Sequence, residues 1–435
     1  NNMTIYDFKS DFYFKDNYAL FVMVEYYKKK NQITQKEINE NTNIPKSNYR
    51  RAQQKNFVGY DKMLQKMASY LGIPVNVDPA IISDLDDQFS HFYTCIVFSK
   101  FYEGKSFFDN IVANFSHYDK TILMIPYYLA QFIFYLSEVN YTNKINYTKI
   151  NESVDILQSF LEKMTEEHRF LFYEYMTNYS GILKNRENVI HYGRLTSYLA
   201  PNFPDLEPNA NYHISFSFSL VSDFIDALIY ANKALPKLEE QLNYNKAVFC
   251  RMNIAALYKK LGHFDEAKRL LKKNLIYLNF NDIPRLDQIT YLNYADCMLM
   301  DERFDEALKY YLKIENEITK RQNYESIMIV YCMYKLSQED NAKNYVENLV
   351  RLHSLGKYPY EYLTLIQFFQ AYFEKASNAE VMKKFRIAQE YIPTYQFRGQ
   401  YIIEIAQGIV DSIQNTKTNK HSNKENDNNY NVFLM

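Results

Sequence analysis

The 435-residue chain contains nine glycines, eleven prolines and no tryptophan. So little glycine and proline disfavours turn-rich β architectures and glycine-cradled phosphate sites. Its four cysteines, Cys95, Cys250, Cys297 and Cys332, stand far apart and form no CxxC pair. That spacing argues against a disulfide framework or a thiolate metal site, and predicts reduced, buried thiols. No two of the eight histidines lie three or four residues apart, and GxGxxG, Walker-type and GxSxG motifs are all missing. The expectation is a protein that is not an enzyme and holds no metal or cofactor. The opening NNMTIYDFKSDFYFKD is too acidic and too broken to be a secretory signal. The most apolar run, residues 122–136, contains Pro126 and falls short of the ~20 residues a membrane span needs. A buried helix is expected there, with no membrane association and a cytoplasmic location.

What the chain does have is aromatic surface, 42 Tyr and 31 Phe, on a helical pattern. The stretch ITQKEINENTNIPKSNYRRAQQ (33–54) reads as two short helices around a corner. Thr34 and Glu37 form a capping box. Asn43 suits a left-handed turn residue, and Pro45 suits the start of the second helix because it has no amide hydrogen to leave unpaired. On that second helix Tyr49 and Ala52 face inward, leaving Lys46, Ser47, Asn48, Arg50 and Arg51 outward.

Charge is distributed unevenly. Residues 28–66 hold ten Lys or Arg against Glu37, Glu40 and Asp61, a local +7 in a chain whose net charge is −1. A basic module on an acidic body fits a nucleic-acid reader with a sensory domain, although a solvated charged surface gives the same count. Upstream, residues 19–30 supply a first helix; downstream, Met63, Leu64, Met67, Ala68 and Leu71 recur at helical spacing.

Thr34-Gln35, Ile38, Asn43-Ile44, Ser47, Tyr49, Arg51 and Ala68–Ile73 together resemble the helix-turn-helix domain of the phage-repressor (Xre-like) family. The resemblance implies double-stranded DNA as partner. Gln35 would contact phosphate, and Lys46, Ser47, Asn48, Arg50 and Arg51 would lie in or beside the major groove.

After a proline-containing, acidic stretch read as a linker (76–87), helical patterning continues to residue 413. Phe224, Phe264 and Phe304 are spaced by 40, as are Ala227, Ala267 and Ala307, with a weaker copy at Ala342. These segments resemble the second helices of tetratricopeptide repeats, where an aromatic and a small residue let paired helices pack closely. The fold class is therefore all-α: a helix-turn-helix domain (1–75), a helical segment (88–205) that does not align securely to the repeat, and a tetratricopeptide-like α-solenoid (206–413). The polar tail 414–435 has too little apolar surface to hold a fold.

Solenoids of this kind bind ligands on the face lined by the first helix of each pair. Asn253 and Asn293 are equivalent there, one repeat apart, and His213 takes the same place one repeat earlier. An Asn amide carries a donor and an acceptor side by side, so it can clamp one peptide unit of an extended ligand. In a chain this rich in Asn, solvated side chains are the alternative. Phe249, Asp296, Tyr324 and Tyr331 are expected to share the groove.

The combination of helix-turn-helix and long repeat domain resembles the RRNPP family of peptide-pheromone receptors. That resemblance implies a cytoplasmic, homodimeric, quorum-sensing transcription regulator that binds a short signalling peptide, with Asn253 and Asn293 as backbone clamps. A repeat scaffold, or a response-regulator antagonist carrying a degenerate DNA-binding cap, remains open.

Overall fold

The computed structural model describes residues 4–55, 57–142, 144–281, 283, 286–314, 324–356, 363–391, 403–404 and 406–411. The chain is all-α, and no strand occurs among the described residues. No helix among them is long and apolar enough to cross a membrane. The tail 414–435 lies outside the described residues. Two compact units are formed, residues 1–253 and 254–435.

The first unit begins with a strap, residues 4–17, followed by four helices: α1 (Tyr18–Lys30), α2 (Gln35–Thr42), α3 (Lys46–Gln54) and α4 (Asp61–Tyr70). Thr34 and Glu37 form the expected capping box, and Asn43 ends α2 in the left-handed conformation at φ 55°. Pro45 sits one residue earlier than the first turn, as the N-cap of α3. Val24, Ile38, Tyr49, Ala52, Leu64, Met67 and Ala68 close the core of this head.

The body of the unit follows as α5 (Pro79–Val97), α6 (Phe101–Ala113), a single turn α7 (Phe115–Tyr118), α8 (Met124–Thr142) and α9 (Tyr147–Phe160). Then come α10 (Glu166–Ile182), α11 (Arg186–Leu199), α12 (Glu207–Leu220), α13 (Phe224–Glu240) and α14 (Tyr244–Lys260), within which the unit boundary falls. The apolar run at 122–136 is the buried helix α8, whose residues Met124–Phe134 are all buried.

The expected linker 76–87 is largely not one. From Pro79 it is the start of the 19-residue α5, because Asp78 caps the helix through the Ala80 amide and Pro79 occupies its first turn. The acidic residues Asp84, Asp86 and Asp87 lie on that helix.

The strap runs along one face of α5. The amides of Ile5 and Phe8 donate to the hydroxyls of Thr94 and Ser90, at 3.0 Å each, and the Ser10 amide donates to Asp86 at 2.7 Å. Those α5 residues are four apart, so each strap contact falls on a successive turn. The Tyr26 ring lies tilted against that of Phe160 with centroids 4.5 Å apart, and the Tyr18 hydroxyl donates to the Lys163 carbonyl. The head is thereby docked on the body of its own unit.

The second unit contains the remaining helices: α15 (Phe264–Leu278), α16 (Leu286–Met300), α17 (Phe304–Ile314), α18 (Tyr324–Lys335), α19 (Glu339–Ser354), α20 (Leu363–Phe373) and α21 (Asn378–Tyr391). Successive helices from α15 onward pack against one another.

One corner recurs in both units. A left-handed residue is followed two positions on by a helix start and five positions on by a buried small residue or Val. The sets are Ser99/Phe101/Gly104, Lys184/Arg186/Val189, Ser222/Phe224/Ala227, Leu242/Tyr244/Ala247, Gly262/Phe264/Ala267, Glu302/Phe304/Ala307 and Ser337/Glu339/Ala342. In each, the residue after the left-handed one donates its amide to a carbonyl five residues back, at 2.8–2.9 Å, as in a Schellman turn. Segment 88–205 therefore does contain repeat-like pairs, α5–α6 and α10–α11. At α10–α11 the aromatic and alanine are replaced by Arg186 and Val189, which hid it from the pattern.

Candidate functional site

Two sets of chemistry-bearing residues stand out, both in the first unit. The first is the outer face of α3. Tyr49 and Ala52 anchor the helix in the head core, and Lys46, Ser47, Asn48, Arg50 and Arg51 are all exposed on the far side. Gln35, at the start of α2, is half-buried. Its carbonyl accepts from Lys28 Nζ at 3.2 Å and its amide donates to Asn39 Oδ1 at 2.9 Å. Lys28 is itself paired with Glu25 at 2.8 Å, so part of the local positive charge is neutralised behind α3 while the charge on α3 faces solvent.

The second is the face formed by the first helices of successive pairs, α8, α10, α12 and α14. Ser137, Tyr141, Asn178, His213, Lys246 and Phe249 line a small cavity there, closed over by the α5–α6 corner at Ile96, Ser99 and Phe101. Its volume is about 20 Å³, room for about one water. Behind it lies Glu174, a fully buried carboxylate that accepts from Asn209 at 2.7 Å and Tyr93 at 3.2 Å and pairs with His213 Nδ1 at 2.8 Å. Burial holds the His213 pKa below its usual value, opposed by that contact with Glu174. Burial also pushes the Lys246 ammonium down to about 8, the negative charge of Glu174 acting in the opposite sense.

Lys246 is 7% exposed, and its ammonium lies 5.3 Å from the Tyr212 ring. Among the described residues no carbonyl or carboxylate accepts a hydrogen bond from it. Sequence reasoning missed Lys246, Glu174, Asn243, Asn245 and Tyr141. None occupies the position that recurs at 40-residue spacing, and only folding brings α5, α8 and α14 together.

The expected groove residues separate. His213 and Phe249 share the cavity. Asn253 is buried, its amide donating to Ser215 at 2.7 Å and its carbonyl accepting from Ser219 at 3.0 Å, so both groups are committed to α12. In the second unit Lys259 donates to Asn293 at 2.9 Å and to Asp296 at 2.6 Å, and Tyr311 also donates to Asp296. Tyr331 is half-buried beside Phe304. Tyr324 opens α18, and its side chain lies outside the described residues.

All four cysteines are buried and unpaired. Burial pushes the thiols of Cys250, Cys297 and Cys332 up to about 12, which keeps them protonated at neutral pH.

No protein-family model and no curated protein matches the chain by sequence. Solved structures do match. The apo form of RapI aligns with a TM-score of 0.57 at 14% identity, over 77% of this chain and 98% of its own. The apo form of the quorum sensor NprR from B. thuringiensis aligns with a TM-score of 0.55 at 14% identity, over 77% and 99%. A Rap protein complexed with competence and sporulation factor aligns with a TM-score of 0.53 at 14% identity, over 77% and 98%. At such identities the likeness establishes the fold, an all-α array of paired helices.

Proposed function

We propose that this protein is a peptide-responsive transcription regulator of the RRNPP type. Its head reads double-stranded DNA through α3, and its paired-helix body takes a short signalling peptide. The observation that carries the reading is the division of α3, with Tyr49 and Ala52 buried and five polar or basic side chains exposed on the opposite face. Arg and Asn at such positions suit base edges and phosphates. The peptide half is supported by the fold, which is shared with a quorum sensor and with a Rap protein solved in complex with competence and sporulation factor.

The same reading makes the protein a cytoplasmic homodimer. Its two α3 helices would meet half-sites about one DNA turn, ~34 Å, or a multiple of it apart. Selection of bound fragments from the source genome by the purified chain tests the reading. Recovery of a near-palindromic operator is expected, and loss of all sequence preference overturns DNA reading.

A second reading is favoured by the strap, which fastens the head to α5 through three successive helical turns. A head held so firmly also suits a cap on a tetratricopeptide-like scaffold or on a response-regulator antagonist. Such a protein retains no operator in the same selection.

A further inference from the structure

Three side chains converge on the corner between α5 and α6. Asn243 Nδ2 donates to the Val97 carbonyl at 3.0 Å, Asn245 Nδ2 to the Phe98 carbonyl at 3.4 Å, and the Tyr141 hydroxyl to the Ser99 carbonyl at 3.1 Å. The Asn243 amide is oriented for this, because its Oδ1 accepts the Lys246 amide at the start of α14, 3.2 Å away. Three consecutive backbone carbonyls are thus read by side chains from α8 and from the start of α14.

We infer that Asn243, Asn245, Tyr141 and Lys246 form a binding site for a short peptide bearing a carboxylate, and that the Val97–Ser99 corner is the internal occupant which this peptide displaces. The inference rests on the peptide-receptor reading and names the residues that carry it. Amide and hydroxyl donors recognise a backbone carbonyl and not the side chain attached to it, so the carbonyls of another chain satisfy them equally.

Lys246 supplies the reason for exchange. The corner satisfies the three neutral donors, whereas among the described residues no carbonyl or carboxylate accepts from the largely buried Lys246. Glu174, the nearby buried carboxylate, is already bonded to Asn209, Tyr93 and His213. A desolvated cation gains most from a group that neutralises it and accepts its hydrogen bonds. A terminal or side-chain carboxylate does both. The cavity beside Lys246 holds about one water while the corner is seated, so a peptide enters only where the corner leaves. The corner ends α5, the helix that also carries Thr94, Ser90 and Asp86 against the strap. Its displacement therefore acts on the helix to which the head is fastened.

The test uses the full chain carrying Ser99→Pro. Ser99 sits at φ 58°, which proline cannot adopt, so the substitution expels the corner. The probe is a fluorescein-labelled peptide of residues 96–101 with a free carboxyl end, read by anisotropy beside its amidated twin. Binding at least about tenfold tighter than to the unsubstituted chain is expected, since the internal copy competes at roughly millimolar effective concentration or above. Asn243→Ala with Asn245→Ala, added to Ser99→Pro, should weaken binding about tenfold or more, and amidation should do the same only while Lys246 is present. Lys246→Met should abolish the difference between the twins.

A folded Ser99→Pro chain that ignores the probe overturns the inference, as does indifference to both the Asn pair and Lys246. If Ser99→Pro fails to fold, hydrogen exchange of the unsubstituted chain decides. With about 1 mM peptide, matching that effective concentration, exchange over residues 97–101 should accelerate, and unchanged exchange overturns the site. A culture-derived peptide that binds regardless of Asn243 and Asn245 would sink this site and leave the receptor reading standing.

Discussion

The hydroxyl of Tyr13 and Nδ1 of His168 are 2.9 Å apart in the core of the first unit, and they join the amino-terminal strap to α10. Tyr13 also accepts the Thr165 amide at 2.9 Å, so its own proton goes to His168. Burial drives the His168 pKa down to about 3. The folded state therefore keeps this ring neutral where the unfolded chain takes up a proton. Stability from His168 is complete above about pH 6.5 and falls as pH drops toward 3. Tyr13→Phe should cost ~1–3 kcal/mol, because it leaves the Thr165 amide and the His168 nitrogen unpaired. Urea denaturation at pH 7 measures the cost, and a loss below ~0.5 kcal/mol would deny the strap its anchoring role.

Asp86 gives the opposite pH dependence. Burial raises its carboxyl from 3.8 to about 6, although hydrogen bonds from Ser10 act to lower it. The folded state thus holds the proton more tightly than the unfolded one. The contribution is fully present below pH 3.8 and is lost as pH rises through 6. Asp86→Asn keeps an acceptor for the Ser10 amide and removes the buried charge. It should be the more stable protein at pH 7, with a flatter slope between pH 4 and 6. Thermal midpoints across that range provide the check.

Arg50→Ala with Arg51→Ala should weaken operator binding by ~2–5 kcal/mol, with a reduced salt slope to the extent that either arginine meets phosphate. Both side chains point away from the head core, so the circular dichroism spectrum should be unchanged. Equal retention of DNA by the double variant would remove α3 from recognition.

Six of the seven recurring corners place a residue other than glycine in the left-handed region. Glu302, at φ 57°, occupies the position that Gly262 occupies one repeat earlier. A side chain in that conformation costs ~1–2 kcal/mol, partly offset in glycine by its greater chain entropy. Glu302→Gly should stabilise the second unit by ~0.5–1 kcal/mol. Hydrogen exchange of α16 and α17 would detect it, and a destabilisation would refute the strain argument.

Gly181 on α10 approaches α12 so closely that a Cβ would lie 2.9 Å from the Cα and Cβ of Ser217. The contact is with a backbone atom, which cannot rotate away. Gly181→Ala should cost ~1–3 kcal/mol despite the better helix propensity of alanine. A neutral or positive change in denaturation midpoint would show that the two helices separate freely.

Local chemistry was readable wherever it depends on neighbours in sequence. The capping box at Thr34 and Glu37, the left-handed Asn43, the inward Tyr49 and Ala52, and the 40-residue recurrence of Phe and Ala all follow from spacings of a few residues or from a strict period. Each appears in the structure because helix geometry alone converts such spacing into a cap, a turn or a buried stripe. Asp78 and Pro79 were equally local, but the prolines at 74 and 79 read as linker rather than as a helix start. The candidate ligand site was not readable. Equivalent positions on a repeat predict equivalent faces, yet Asn253 turned inward to Ser215 and Ser219 because those hydroxyls lie on the adjacent helix. Asn243 and Asn245 found their acceptors about 146 residues upstream, a pairing set by where the α5–α6 corner docks on α8 and α14. Helical period determines which residues share a face, whereas the partner across that face is decided only when the helices pack.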